Sequence, residues 1–403
     1  MLTVSIVYPA DPVGIVPGGI DTFIRGILKY APADITVKLV GITTDRDQRP
    51  VGRWTRCDCD GREIDVFPVV VVDSAGDRRR IPLSLRFTAA VARYREAVDG
   101  DILEFHRLEP AILFARDRRG KNVFIHQNMQ ELKNRKSDIL WSRLPGLYYR
   151  LEDWLLPKFN SVYVVREDAV AWYQGRYPDI AGNFRFTPTW VDPDVFRMPS
   201  DAERARAKSE LTTEFGLDAD ARILLSVGRL DLQKDPLLLA EAFGRVSARD
   251  PKARLIYVGD GVLRAPLQEY VALEGLENKV FFAGLRAPRA IARMFWGADM
   301  FVLSSAYEGM PMCVLEALGS GVPVVSTDVG EVRRVVESAK NGLVVGDRTA
   351  IALAEAMENV LREHDRLAGG PCVEAVELFS PARILEPVYE NYRRIAAEGR
   401  RHD

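Results

Sequence analysis

Cysteine is scarce. Four cysteines in 403 residues are too few for the disulfide framework that staples small secreted domains. Cys57 and Cys59 stand two positions apart with no matching pair downstream, which argues against a zinc knuckle. A reducing compartment is the expectation. Long apolar runs are also missing: none reaches the roughly 18 residues of a membrane-spanning helix. The opening residues, MLTVSIVYPA, lack the basic n-region and cleavage site of a secretory leader. The expected location is the cytoplasm, with the inner face of a membrane left open as a peripheral resting place. Charge of one sign is not in excess, since the net charge is −2 with 28% charged residues. That balance argues against a partner that is nucleic acid. Short repeats and low-complexity segments do not occur.

What the chain does have is length and alternation. A chain of 403 residues has material for two cores of ordinary size. The runs TVSIVYP, ITVKLVGI, DILEF, KNVFIHQ and SVYVV read as short buried strands with helical stretches between them. The pattern pauses at FTPTWVDPDVFRMPSD, which contains Pro188, Pro193 and Pro199. It restarts with RILLSVGRL, ARLIYVGDG, KVFFAG, MFVLSS and PVVSTD, with helices expected near Pro236–Ala248, Ala265–Glu274 and Pro288–Trp296. Strands alternating with helices predict parallel sheets covered on both faces. The fold class is therefore α/β, with two Rossmann-like, doubly wound domains facing across a cleft. The expected domains are 1–190, 191–380 and a last helix, within 381–403, that crosses back to the first domain.

In such sheets ligands bind beyond the carboxyl ends of the strands. The residues there are informative. GRLDLQKDP follows one strand and supplies Arg229 and Lys234; AYEGMP follows another and supplies Glu308, Gly309, Met310 and Pro311. Pro311 suits the first position of a helix, and Gly319 suits its end. That helix would point free N–H groups at an anion, most plausibly phosphate. Glu316 would lie on it, eight positions after Glu308. A ligand reaching both acids needs a hydroxyl-rich group at each end and an anion between, because carboxylates accept hydroxyl hydrogen bonds. A nucleotide-diphosphate sugar has that layout. Taken alone, two glutamates eight apart are more often solvated surface charges.

In their order along the chain, VDPDVF, SVGRL with a lysine five residues after its arginine, YVGDG, FFAGL, EGMPMCVLEALGSGVPVVSTDVG and NGLVV resemble the GT-B glycosyltransferases of the family 4 retaining type, the glycosyl transferases group 1. The resemblance is strongest after residue 190. It implies transfer of a sugar from a nucleotide-diphosphate donor to the hydroxyl of a saccharide or lipid-linked acceptor, in polysaccharide or glycolipid assembly. It further implies retention of configuration, with the donor phosphate accepting the acceptor's proton. Arg229 and Lys234 match the pair that holds the diphosphate, Glu308 the acid near the donor sugar, and Glu316 the acid on the ribose. Gly309, Met310 and Pro311 match the turn beneath the donor. Gly284, Leu285 and Arg286 lie where the base packs. Gly18 and Gly19 match the N-terminal glycine loop, near the diphosphate or the acceptor, and count among the donor-binding residues; His126 matches the histidine near the donor sugar and acceptor, and His106 a second histidine of that half. Catalytic roles thus fall to Glu308, His126, Arg229 and Lys234.

The chain departs from the family pattern at Thr189 and Trp190, at Glu331 and at Arg334, which bears on the acceptor more than on the reaction. Four Asp-x-Asp pairs occur, at Asp45/Asp47, Asp58/Asp60, Asp192/Asp194 and Asp218/Asp220, and so many show how cheap the pattern is. No catalytic metal and no cofactor is expected; positive side chains and a helix dipole would do that work. The segment Leu132–Phe159 is basic and aromatic, with apolar residues near helical spacing. It reads as a helix packed on its own sheet, or alternatively as a patch for an anionic membrane. Two other functions stay open: a nucleotide-sugar-binding protein without catalysis, and an epimerase on the same fold.

Overall fold

Short strands rich in Val, Ile, Leu and Phe alternate with helices along the chain, and the strands collect into two sheets. The computed structural model describes residues 1–14, 19–59, 61–72, 81–126 and 145–399. The chain divides into two compact units. The first takes in the described residues of Met1–Lys133 and Ile139–Pro188 together with Pro381–Asp403; the second includes Thr189–Ser380.

The first unit holds eight strands: β1 (Leu2–Val7), β2 (Ile35–Thr43), β3 (Thr55–Cys59), β4 (Arg62–Val71), β5 (Ile102–Phe105), β6 (Gly120–Ile125), β7 (Ser161–Val164) and β8 (Phe184–Phe186). Their spatial order is β3-β4-β2-β1-β5-β6-β7-β8. Every pairing is parallel except β3 with β4, a hairpin in which Cys59 faces Arg62. Asp58 accepts the Gly61 N–H at 3.2 Å in that turn; Asp60 lies outside the described residues. From β1 the chain builds outward to β2 and β4, then returns to the other side of β1 with β5. The strand ends of β1 and β5 therefore flank a switch point, where parallel sheets leave a crevice for ligands.

The last helix, Pro381–Gly399, belongs to this unit. Tyr389 donates its hydroxyl to the Ile27 carbonyl at 3.0 Å, Asn391 Nδ2 donates to Tyr163 Oη at 2.7 Å, and Arg393 Nε pairs with Asp34 at 2.8 Å. The buried Leu385, Val388 and Tyr392 complete its inner face.

The second unit has six strands: β9 (Arg222–Val227), β10 (Ala253–Val258), β11 (Val280–Gly284), β12 (Met300–Leu303), β13 (Val324–Thr327) and β14 (Gly342–Val345). All pair in parallel, in the order β11-β10-β9-β12-β13-β14. The four residues of β12 are all buried, as a strand covered on both faces requires. Helices begin where local chemistry allows. Ser200 and Glu203 form a reciprocal capping box ahead of Asp201–Phe215, and Gly216 ends that helix in the left-handed conformation at φ 62°. Pro236 and Pro288 sit in the first turns of Pro236–Arg249 and Pro288–Trp296, where the missing N–H costs nothing. Here too the order reverses at one place, between β9 and β12.

Candidate functional site

The β9/β12 switch point gathers most of the residues singled out in the sequence. The segment Gly228–Asp235 leaves β9, and the segment Ser304–Pro311 leaves β12. A small concavity there is lined by Gly228, Arg229, Leu230, Lys234, Leu303 and Ser304. Two tight backbone approaches fix its walls. A Cβ on Gly259, which has φ 137°, would meet the Gly228 carbonyl oxygen at 1.9 Å. A Cβ on Gly330, at φ 53°, would meet the Gly309 carbonyl oxygen at 1.9 Å. Only glycine fits either place. Glu331 then donates its N–H to Gly309 O at 2.9 Å, tying the β13 loop to the acid-bearing turn.

Lys234 and Glu308 meet inside this frame. Lys234 Nζ lies 2.8 Å from Glu308 Oε1, with the two side chains 19% and 8% exposed. Ser305 Oγ donates to the same oxygen at 2.7 Å. Burial works against the Lys234 charge, and the Glu308 carboxylate more than offsets it, so its pKa is raised. The following residue, Asp235, adopts φ 43°, an uncommon conformation for a side chain with a Cβ. It is held there by its own capping bond to Leu238 N at 3.3 Å, by Arg348, and by Ser304 Oγ, which donates to the carbonyls of Lys234 and Asp235 at 2.8 and 2.9 Å. This turn aims the lysine back at β12.

Arg229 stands at the mouth, 56% exposed, with Asp231 Oδ2 2.9 Å from its Nη1. Its Nη2 donates to Gln233 Oε1 at 3.0 Å, and Gln233 Nε2 donates to the Tyr307 carbonyl at 3.2 Å. Gln233 thus links the exposed cation to the loop of Glu308. Asp231, Gln233 and Ser305 had no place in the sequence reading. Their signal is position alone: each flanks a residue that had one.

The helix Met312–Gly319 starts with Pro311 at its cap rather than within its first turn, and no side chain caps it. Pro311 keeps an extended ψ of 114°, so the chain turns into the helix one residue later than the sequence suggests. Met310 is buried, and its carbonyl accepts from Thr189 Oγ1 at 3.3 Å. Cys313 is buried in the core cluster, and burial pushes its thiol up to about 12. Glu316 differs from Glu308. It is half-buried, and among the described residues its carboxylate takes no hydrogen bond. Burial pushes its carboxyl up to about 7, against the attraction of Lys234. A half-buried carboxylate without a protein donor keeps its acceptor oxygens open to a ligand's hydroxyls.

Gly284 closes β11, and Leu285 is 43% exposed. Arg286 Nε donates to the Ala283 carbonyl at 3.0 Å, and its guanidinium also pairs with Glu214. Arg286 and Glu214 border a cavity of ≈ 220 Å³, with Ala207, Leu211, Arg293 and Met294. It is larger than the concavity at the switch point, but it lies along helices Asp201–Phe215 and Pro288–Trp296 rather than at the strand ends.

The remaining calls fall in the first unit. Gly18 lies outside the described residues. Gly19 begins the helix Gly19–Tyr30. His126 and His106 follow β6 and β5, and their rings stack at 5.1 Å between centroids, with His106 Nδ1 2.8 Å from His126 Nε2. Of Leu132–Phe159, the part before residue 145 is outside the described residues. The helix Pro145–Leu155 buries Tyr148, Glu152 and Leu155 and leaves Leu147 and Trp154 54% and 47% exposed. Among the described residues no group of three or more acids, histidines or cysteines is placed to hold a metal. No helix among them is long and apolar enough to cross a membrane.

Comparisons with known proteins agree with this architecture. Residues 208–368 match the family Glycosyl transferases group 1. The D-inositol 3-phosphate glycosyltransferase of Frankia alni is 32% identical over 215 residues, 50% of this chain and 51% of that protein. The chain spans about half the length of the curated relatives it matches. Sucrose-phosphate synthase from Thermosynechococcus elongatus superposes with a TM-score of 0.79 at 21% identity, over 99% of this chain and 100% of that one. Anabaena HepE in complex with UDP and glucose superposes with a TM-score of 0.73 at 19% identity, over 98% and 100%. The chain has the GT-B fold, and its residues 208–368 are similar to the glycosyl transferases group 1.

Proposed function

We propose that this protein is a retaining, metal-independent hexosyltransferase that moves a sugar from a nucleotide-diphosphate donor to an acceptor hydroxyl. The observation that carries the reading is the unequal pair of acids at the β9/β12 switch point. Glu308 is already bonded by Lys234 and Ser305, whereas among the described residues the Glu316 carboxylate has no donor. In this reading the second unit binds the donor. Glu316 accepts the ribose hydroxyls. Arg229, exposed at the mouth, and Lys234 face the diphosphate and stabilise charge as it develops on the leaving group. Glu308 holds the lysine in place and meets the sugar hydroxyls beside the Gly309–Pro311 turn. Gly284, Leu285 and Arg286 take the base.

The first unit supplies the acceptor site and the catalytic His126, and Gly18 and Gly19 are assigned to donor binding. The donor phosphate takes the acceptor's proton. That HepE was solved with UDP and glucose, and that a relative is a D-inositol 3-phosphate glycosyltransferase, supports a nucleotide-sugar donor and a polyol or saccharide acceptor. Polysaccharide or glycolipid assembly in the cytoplasm is the context proposed, with peripheral membrane contact through Leu147 and Trp154.

The test is a screen of nucleotide sugars with and without saccharide and lipid-linked acceptors. Release of nucleoside diphosphate that depends on an acceptor, with the product linkage retained, is expected. An isomerised sugar formed from donor alone would replace this reading with an epimerase. Binding of donor without turnover on any acceptor would favour the non-catalytic reading.

A further inference from the structure

A glutamate inside an apolar strand is expensive unless its oxygens are engaged. Glu104, in the middle of β5, is fully buried. Its Oε2 accepts the hydroxyl of Tyr392 from the last helix. Its Oε1 lies 3.1 Å from His106 Nε2, and His106 Nδ1 lies 2.8 Å from His126 Nε2. Phe124 stacks on His106 at 4.8 Å, and Phe23 meets both imidazoles edge-on. His126 is half-buried, and among the described residues its Nδ1 takes no hydrogen bond. The four side chains Tyr392, Glu104, His106 and His126 form a single file that ends at His126 Nδ1.

We propose that Glu104, acting through His106, sets the tautomer of His126 and thereby decides whether its Nδ1 offers a proton or a lone pair. Hydrogen-bond bookkeeping leaves two arrangements for neutral rings. With Glu104 as the acid, its O–H donates to His106 Nε2, His106 Nδ1–H donates to His126 Nε2, and His126 carries its proton on Nδ1. With Glu104 as the carboxylate, His106 Nε2–H donates to it, His126 Nε2–H donates to His106 Nδ1, and His126 Nδ1 is bare. One proton lost at Glu104 therefore reverses two hydrogen bonds and removes the proton from Nδ1, with the charge left on the buried carboxylate.

Burial pushes the Glu104 carboxyl up to about 8, against the Tyr392 hydroxyl, and pushes His106 down to about 3. Burial, with His106 and Arg107 nearby, holds His126 well below its usual value. Neither ring charges near neutrality, so the acid arrangement prevails there and Nδ1–H is a donor. Other groups bear on the file from each side. Tyr163 of β7, bonded by Asn391, and Tyr389 of the last helix feel the Glu104 charge. From the end of β1, Tyr8 packs edge-on to His106 and is coupled to Arg107, Glu109 and Asp21. That a sugar or phosphate oxygen is what the Nδ1–H meets rests on the proposed transferase reading; the coupling itself does not.

Nitrogen-15 spectra of histidine-labelled protein without substrate read the tautomer directly. The four histidines are assigned with H364Q and H402Q, which leave Glu104, His106 and His126 in place. The expected result is a His126 proton on Nδ1 at neutral pH that moves to Nε2 as pH rises through about 8. Glu104→Gln, which can still bond both neighbours, should abolish the movement. Tyr392→Phe removes a donor to the carboxylate and should shift the change to higher pH. A His126 tautomer that ignores pH in the wild type, or a transition that survives in Glu104→Gln, overturns the proposal. Because no substrate is present, either outcome is independent of whether the protein proves to be a transferase.

Discussion

Replacing Glu308 and Glu316 one at a time by glutamine should give opposite effects on the empty protein. Glu308→Gln keeps the shape and leaves an amide near Ser305, but removes the carboxylate that contacts Lys234. The lysine side chain is 19% exposed, so water restores part of the loss. The bond at stake joins two charged groups, worth about 1.5–3 kcal/mol, and loss of one partner of a buried pair leaves the other uncompensated. For a unit of this size about 2–4 °C accompanies each kcal/mol, so the melting temperature should fall by about 3–12 °C. Glu316→Gln removes an acid whose folded pKa, raised by burial to about 7, lies above its ordinary value of 4.5. A raised carboxyl pKa means the folded state binds more protons, so its cost sets in as pH rises between those values and is complete above about 7. Glu316→Gln should therefore be no less stable than wild type in mildly alkaline buffer, and any advantage should vanish in acid. Differential scanning calorimetry on both sides of neutrality decides it. Equal losses in the two variants, or no loss in Glu308→Gln, would refute the assignment of one bonded and one unbonded acid.

Other outcomes follow from the same site. Arg229→Ala should fold normally, since its side chain is 56% exposed, and should lower turnover by about 10²–10³ if it stabilises the leaving diphosphate; normal turnover would move the phosphates elsewhere. Activity should survive exhaustive chelation, and activity lost to chelator and restored by Mn²⁺ or Mg²⁺ would overturn metal independence. If Leu147 and Trp154 meet a bilayer, the protein should sediment with anionic vesicles, salt should weaken this, and Leu147→Ser with Trp154→Ser should abolish it; no sedimentation at low salt returns the helix to a purely structural role.

The strands were legible because buried parallel strands are short, continuous apolar runs with glycine or proline at their ends. β9 to β13 and the helix Pro288–Trp296 appear where those runs and Pro288 place them. The helix Asp201–Phe215 carries a capping box, Ser200 to Glu203, in its sequence, but its charged surface hides the periodicity. The loops of Arg229, Lys234 and Glu308 were legible as strand-end loops, because the switch point is a property of strand order. Their partnering was not. Lys234 and Glu308 are joined by a turn at Asp235 with φ 43°, and no local pattern announces a left-handed aspartate. Nor does any local pattern connect Tyr392 to Glu104, 288 residues apart. What could have been noticed is Glu104 itself, an acid set in the apolar run DILEF.

The place of the nucleotide decides whether the second unit holds the donor. Isothermal titration of free nucleoside diphosphates into wild type, Glu316→Gln and Glu308→Gln measures this without requiring the acceptor. At least one nucleoside diphosphate should bind the wild type. Glu316→Gln should weaken it roughly 10- to 150-fold, as expected for losing a hydrogen bond to a charged acceptor of about 1.5–3 kcal/mol. Glu308→Gln should bind nearly as the wild type does. Absence of binding by any nucleoside diphosphate, or undiminished affinity in Glu316→Gln, would contradict a donor site at the β9/β12 switch point.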